Sequence, residues 1–428
     1  MNFISWMGRL AAVVTVIGIC HAALTDTASA RAADTPPVEP IPRVFFGMHF
    51  HRADTTTPWP KVPIGSWRLW DAYAAWPDLQ PGPGKWDFQR LDRYVAMAKL
   101  TGTSILLPLG LTPRWASARP TEKSSYSPGN AAEPRDIEDW KRYVRTVAER
   151  YKGRIRDYEM WNEVNYPTFY SGSVETMVTL TREAYRILKE VDPDNRLVSP
   201  SVVGAGRDAL WLDEFLQKGG GRYIDVVGYH FYVPKGAPET MIPLVKQVQG
   251  IMTKHGIGER PLWNTETGWL IRNDEQQFEP GSVDPTWKIL DQYEAAAYLA
   301  RALIISWAAG VRRFYWYSWD AGTMGLIEPK SKNAKAPARA FGTAVRWLEG
   351  SRMNDCARQD RIWVCTMTGR EGATAHIVWT DAESAVSFKI PGGWRVAEVE
   401  SLDGTKRRLE PGGSDTIPLS PMPIRLTP

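Results

Sequence analysis

Cysteine is the first scarcity: three residues in a chain of 428. A small fold stapled by several disulfides is excluded, and the length instead calls for one large core accompanied by a smaller one. Charge of one sign is lacking too. The formal net charge is +4, with lysines and arginines interspersed among acids throughout, so the chain has no concentrated basic surface for nucleic acid. Long apolar runs are missing after residue 30, where no segment reaches the roughly 18 apolar residues that a membrane span needs. Solenoid repeats and low-complexity tracts are absent as well. Tryptophan, in contrast, is abundant, with 20 residues. Its flat apolar rings fill cores and stack on sugars, and core filling accounts for most of them.

The N-terminus passes from Arg9 through the apolar run LAAVVTVIGIC to ALTDTASARAAD, where Ala28, Ser29 and Ala30 offer a small-residue cleavage site. This is the pattern of a secretory signal over residues 1–30, and it predicts an exported protein, periplasmic or secreted. An uncleaved anchor is the alternative. Cys20 follows the bulky Ile19, which argues against lipidation there. With the signal removed, only Cys356 and Cys365 remain, flanking a polar turn in NDCARQDRIWVCTMT. In an exported chain they are expected to form a disulfide across a hairpin.

From about residue 43, short β-branched or aromatic runs alternate with longer helical patterns. Eight candidate strands can be read: RVFFGMHF, GSWRLW, SILLPLG, RDYEMWNE, RLVSPSVV, YIDVVGYHFY, RPLWNTETG and RRFYWYSW. Helical periodicity fills the gaps, as in VETMVTLTREAYRILKEVD after Ser173, where Val174, Met177, Leu180, Ala184, Ile187 and Val191 recur near a 3.6-residue spacing. Eight strand-helix units close a parallel (β/α)8 barrel, here over residues 31–350. Residues 351–428 alternate with period two and carry turn residues without helical periodicity. They predict a small antiparallel, β-sandwich-like domain that supports packing or binds sugar weakly.

A (β/α)8 barrel carries its chemistry at the C-terminal ends of the strands. The fourth strand ends in Asn162 and Glu163, and the seventh in Thr265 and Glu266 within WNTETGW. Being three strands apart in an eight-stranded ring, the two carboxylates can face each other across its mouth. Such a pair is the minimal machinery for cleaving a glycosidic bond. One acid protonates the leaving oxygen, while the other, ionised, meets the positive charge at the anomeric carbon. A negative neighbour raises the pKa of the first, and arginine or hydroxyl donors keep the second ionised.

RDYEMWNEVN, LWNTETGW and the intervening YHFY together resemble the retaining glycoside hydrolases of clan A, most closely family 39 with its β-xylosidases and exopolysaccharide-cleaving relatives. GKWDFQRLDRYVAMAKLTG and RYKGRIRDYEMWNE extend the resemblance over roughly residues 43 to 350. It implies Glu163 as acid/base and Glu266 as nucleophile, with Asn162 binding the hydroxyl beside the anomeric carbon. It also implies that His230 and Tyr232 line the site, that Tyr232 reaches the nucleophile, and that Arg68 helps hold the nucleophile ionised. Trp316 or Trp319 would form the sugar platform. Val164 departs from the family pattern, in which proline is frequent at that position; the change affects the loop more than the chemistry. No cofactor and no metal is implied.

Strand alternation places Glu159, Trp161 and Glu163 on one side, so Glu159 should point into the barrel below the mouth and pair with an arginine, Arg68 being nearest by layer. His49 is expected to line the sugar site. A competing reading takes His49, His51, His230 and Asp320 as the ligands of a metal-dependent amidohydrolase, but the fourth strand lacks a bridging lysine and the fifth lacks a histidine. A non-catalytic polysaccharide-binding barrel is the other alternative. The leading expectation is an exported, monomeric enzyme that cleaves β-glycosidic bonds within a polysaccharide or oligosaccharide, has no nucleic-acid partner and has no membrane span once the signal is removed.

Overall fold

The computed structural model describes residues 30–31, 36–382, 384–410 and 415–428; most of the expected signal segment therefore lies outside the described residues. Eight parallel strands form the barrel wall: β1 (Phe46–His49), β2 (Ser66–Arg68), β3 (Ser104–Leu109), β4 (Asp157–Met160), β5 (Arg196–Val198), β6 (Val227–His230), β7 (Leu262–Thr267) and β8 (Val311–Trp316). Each falls inside one of the eight runs read from the sequence, except that β8 begins one residue earlier, at Val311. Their order around the sheet is β5-β4-β3-β2-β1-β8-β7-β6. Parallel bridges from Val198 to Val226 and from Val203 to His230 bring the two edges together, so the barrel is nearly closed.

Among the described residues, seven α-helices of two turns or more pack outside, namely α1 (Gln89–Thr101), α2 (Ile137–Arg150), α3 (Val174–Val191), α4 (Leu210–Gln217), α5 (Met241–Lys254), α6 (Gln292–Ala308) and α7 (Ala336–Leu348), and a single helical turn, Trp76–Leu79, precedes α1. The connection from β1 to β2 has no helix. Helix α3 begins where the sequence places it, because the Ser173 hydroxyl accepts from the Thr176 amide and satisfies a donor that would otherwise be orphaned. Asp136 and Asp291 cap α2 and α6 in the same way.

Inside the ring, Leu106, Val198, Val226, Trp263 and Tyr315 form an apolar plug. Near it the carboxylate of Asp157 accepts from Arg313 Nη1 at 2.7 Å, and Arg196 Nε donates to it at the same distance. Between strands and helices lies a second, larger core. Trp67, Trp76, Trp140, Trp161, Trp269, Trp307, Trp316 and Trp347 are all fully buried there. A buried indole removes roughly 150–250 Å² from water, about 4–6 kcal/mol of gross transfer energy. Most of the tryptophans are thus core, as composition suggested.

The strands after α7 are β9 (Arg352–Gln359), β10 (Ile362–Thr368), β11 (Thr374–Thr380), β12 (Val386–Lys389), β13 (Glu398–Ser401), β14 (Lys406–Arg408), β15 (Thr416–Leu419) and β16 (Ile424–Thr427). All but β12 and β15, which pair with each other, join one antiparallel sheet, and Ala30–Arg31 adds to its β9 edge. Cys356 and Cys365 stand opposite each other on β9 and β10 and are joined by a disulfide. The sheet is fastened to the barrel. Trp379 Nε1 donates to Glu239 at 2.9 Å, and Arg301 donates to the same carboxylate from α6.

Candidate active site

Strand β4 loses its alternation immediately after Met160. Trp161 and Glu163 take left-handed backbone conformations, with φ of 53° and 43°, which non-glycine residues rarely adopt unless their surroundings impose them. Trp161 accordingly turns outward, where its indole donates to the Phe169 carbonyl and packs near Trp140 and Tyr170. The expectation that Trp161 shares a side with Glu159 and Glu163 is therefore corrected. The same twist lets two adjacent residues, Asn162 and Glu163, both reach the mouth; an unbroken strand would send them to opposite faces.

Strand β7 makes a comparable departure. Trp263 lies opposite Gly228, and Asn264 opposite Tyr229, but His230 lies opposite Glu266, so β7 carries one extra residue. The register with β8 slips at the same place, from Phe314 with Asn264 to Trp316 with Thr267. This is a β-bulge, a device that re-aims a side chain. Trp263 belongs to the plug inside the ring, and perfect alternation would therefore face Glu266 outward with Asn264. The bulge turns it inward.

The two glutamates meet at the mouth. A carboxylate oxygen of Glu163, one of Glu266 and a ring nitrogen of His230 all lie within 4.8 Å of one another. Glu163 is 6% exposed and Glu266 2%. His230 Nδ1 stands 3.1 Å from Glu163 Oε1, and the Tyr232 hydroxyl donates to Glu266 Oε1 at 2.9 Å. Arg68, fully buried, divides its fork among three partners: Nε to Glu159 Oε2 at 2.5 Å, Nη1 to Glu266 Oε2 at 2.9 Å and Nη2 to Asn162 Oδ1 at 2.8 Å. The last contact fixes the Asn162 amide, since its oxygen must face the guanidinium and Nδ2 is left as the donor. The pairing of Glu159 with Arg68 expected from strand layers is present.

Burial pushes the pKa of Glu163 well above the carboxylate range, and the neighbouring charge of Glu266 adds to the rise. Burial also lifts Glu266, to about 7, against the pull of the Arg68 guanidinium and the Tyr232 hydroxyl. Only Glu266 has direct donors to its ionised form from both groups, so a single proton shared by the pair resides on Glu163. The histidines His49 and His230 are held neutral by burial and by the adjacent Arg68. His49 Nε2 donates to the Thr265 carbonyl at 3.1 Å and stands 4.0 Å from Glu266.

Two sequence expectations fail here. Trp316 is fully buried, with its indole donating to the Met324 carbonyl and one face against Trp269. It lies opposite Met48 in the strand register, on the side that faces the helices. Trp319 also belongs to the outer core. Neither ring has an open face for a sugar. The aromatic at the mouth is Tyr317, one position past Trp316 on the inward phase set by Tyr315. Its ring is 5.1 Å from His49, and its hydroxyl donates to Asp71 Oδ2 at 2.7 Å. The other oxygen of Asp71 accepts from Tyr126 at 2.5 Å. Period-two counting from Tyr315 would have found Tyr317; nothing local in the sequence marks Asp71.

The metal-ligand set of the amidohydrolase reading does not assemble. Asp320 is taken by the backbone amides of His51 and Arg52, at 3.0 and 3.1 Å, and His49 is committed to Thr265. Among the described residues the three-ligand cluster is Glu163, His230 and Glu266 itself, where the Arg68 guanidinium already supplies the compensating positive charge.

A model of the glycosyl hydrolases family 39 matches residues 69–312, more than half of the chain. The chain belongs to glycosyl hydrolase family 39. It is a retaining glycoside hydrolase and its substrate is a carbohydrate. No curated protein matches the chain. Among solved structures, a family 39 glycoside hydrolase from the gut symbiont Bacteroides cellulosilyticus WH2 superposes with a TM-score of 0.68 at 18% identity, covering 91% of this chain and 81% of the other. A monomeric β-xylosidase from Caulobacter crescentus CB15 gives 0.65 at 17%, covering 93% and 98%. A glucosidase from Croceicoccus marinus gives 0.64 at 14%, again covering 93% and 98%. These likenesses describe the fold.

One prediction concerns Tyr232. Its hydroxyl stabilises ionised Glu266, so Tyr232→Phe should raise the pKa of that carboxyl. Activity that needs the ionised form is lost as pH falls through this pKa, so the loss should begin at higher pH. The acid limb of kcat/KM is expected to move up by roughly half to one unit. An unmoved limb would show that another group controls it.

Proposed function

We propose that this family 39 enzyme cleaves β-glycosidic bonds within a polysaccharide by double displacement, with Glu266 as nucleophile and Glu163 as acid/base. The supporting observation is the separation of the two carboxylates, whose facing oxygens come within 4.8 Å. Retaining enzymes hold their carboxyls about 5–5.5 Å apart, whereas inverting ones leave roughly 6.5–9.5 Å for a water. Glu163, which keeps the proton, gives it to the leaving oxygen as Glu266 bonds to the anomeric carbon. The glycosyl-enzyme ester is then hydrolysed by a water from which Glu163 removes a proton. Asn162 Nδ2 would donate to the hydroxyl beside the anomeric carbon, a contact that strengthens in the transition state.

Action within a chain is supported by two satellite aromatic clusters at the mouth. One groups Trp70 and Phe169 with half-buried Tyr126 and Tyr166, from the loops after β2, β3 and β4. The other groups Tyr317 with half-buried Tyr232, Phe278 and Trp287, from the loops after β6, β7 and β8. The clusters come from loops on opposite arcs of the ring, and their half-buried members Tyr126, Tyr166, Phe278 and Trp287 would offer stacking surfaces to sugars on both sides of the scissile bond. Export is part of the proposal. The N-terminal pattern and the Cys356–Cys365 disulfide both suit an oxidising compartment.

The test is a panel of soluble β-linked polysaccharides followed by viscometry and product sizing. Internal cleavage predicts a rapid fall in viscosity with oligosaccharide products. Release of single sugars with little change in viscosity would overturn the endo assignment while leaving the glycosidase intact.

A further inference from the structure

Glu159 has no place in the double displacement, yet it is the third carboxylate gathered around one arginine. It is fully buried two residues into β4 and accepts from Arg68 Nε at 2.5 Å. Its other oxygen lies inside the ring, 3.3 Å from where a Cβ on Gly228 would stand; burial raises its pKa, and the Arg68 guanidinium with the Thr265 and Ser201 hydroxyls pulls the other way. A buried carboxylate is costly unless it is paired, and here Arg68 supplies the pairing charge.

We propose that Glu159 is a positioning residue that sets the basicity of the nucleophile through Arg68; the proposal rests on the assignment of Glu266 as nucleophile. The guanidinium carries one positive charge and serves two carboxylates, Glu159 through Nε and Glu266 through Nη1. The share drawn by Glu159 is withheld from Glu266. A nucleophile bound to an undivided guanidinium would be strongly ionised but poorly basic, and bond formation at the anomeric carbon would be slower. Glu159 also holds the fork by its Nε edge, so that Nη1 and Nη2 point at Glu266 and Asn162.

The other charged and titratable groups facing this cluster leave that division intact. Glu163 stands on the same strand end and Asp71 on the loop after β2; their carboxyls act on Glu266 from above. His49 on β1 and His230 on β6 are neutral. Asp157, two residues before Glu159, is neutralised by Arg313 and Arg196. Arg68 is therefore the cation through which Glu159 and Glu266 sense each other.

Glu159→Gln separates charge from shape, because its amide oxygen can still accept from Nε. With the competing charge gone, Arg68 stabilises ionised Glu266 more strongly and its pKa falls. The acid limb of kcat/KM is expected to move to lower pH by roughly one unit. The plateau value is expected to drop about tenfold in kcat with KM little changed. The shift is opposite in sign to that of Tyr232→Phe. Glu159→Asp keeps the charge but shortens its reach, and should fall between wild type and Glu159→Gln. It also serves as the deciding variant if Glu159→Gln does not fold. A merely structural role would lower the thermal midpoint and leave the pH profile superimposable on wild type, and that result overturns the proposal. Failure of the functional reading looks different: wild-type enzyme would then release no sugar from the polysaccharide panel, or Glu266→Ala would remain active.

Discussion

Glu266→Ala is expected to abolish turnover, with kcat/KM on any hydrolysed polysaccharide falling by roughly 10⁴-fold or more, as losses of other covalent nucleophiles do. The loss is chemical rather than structural. Arg68 keeps Glu159 and Asn162 as partners after the substitution, so the buried guanidinium is not stranded and the barrel should still fold. Circular dichroism and the thermal midpoint check that point independently. Without the carboxylate, the developing charge at the anomeric carbon has no partner and no glycosyl-enzyme can form. Residual hydrolysis above about 1% of wild type would move the nucleophile elsewhere, since a covalent nucleophile is not that dispensable.

Glu163→Ala should behave differently, because its proton matters in proportion to how poor the leaving group is. With a sugar leaving group, kcat is expected to fall by about 10²–10⁴-fold, the usual contribution of a general acid. With an activated aryl leaving group, the first step needs little protonation, so a burst of aryl alcohol should precede slow release of the trapped glycosyl-enzyme. Added azide should restore turnover by entering the space vacated by the carboxyl and attacking the same face, giving a glycosyl azide of retained configuration. The pH profile supplies a second check. Glu163 has a raised pKa, so in wild type the acid form is present at low pH and is lost as pH rises through that value. The variant should therefore lack the basic limb of the profile. An unchanged basic limb, or equal losses for good and poor leaving groups, would remove Glu163 from the acid role.

Much of this enzyme was legible before any coordinates. The eight strand runs, the capped helix after Ser173 and the change to period two near residue 351 each rest on local patterning, which burial demands regardless of what surrounds it. The residue types at the ends of the fourth and seventh strands were legible for the same reason, since a barrel presents those ends to solvent and substrate. Glu159 was placed correctly because alternation holds as far as Met160.

Past that point the sequence ceases to determine direction. Alternation assigns Trp161 to the inside, and it is outside; it assigns Glu266 to the outside, and it is inside. Trp316, the obvious platform by composition, faces the helices, while Tyr317 takes the mouth and is tied through Asp71 to Tyr126 from a distant loop. For Trp161 and Glu266 the physical reason is the same, whereas Tyr317 keeps the alternation of Tyr315. The left-handed turn at Trp161 and Glu163 and the extra residue in β7 are unfavourable or neutral locally, and they persist because closing the ring and pairing Arg68 with both carboxylates stabilises them. The sequence by itself determined which elements form and which chemistry they carry. Which way the catalytic side chains face was decided by contacts between strands far apart in the chain, and only the closed barrel contains those contacts.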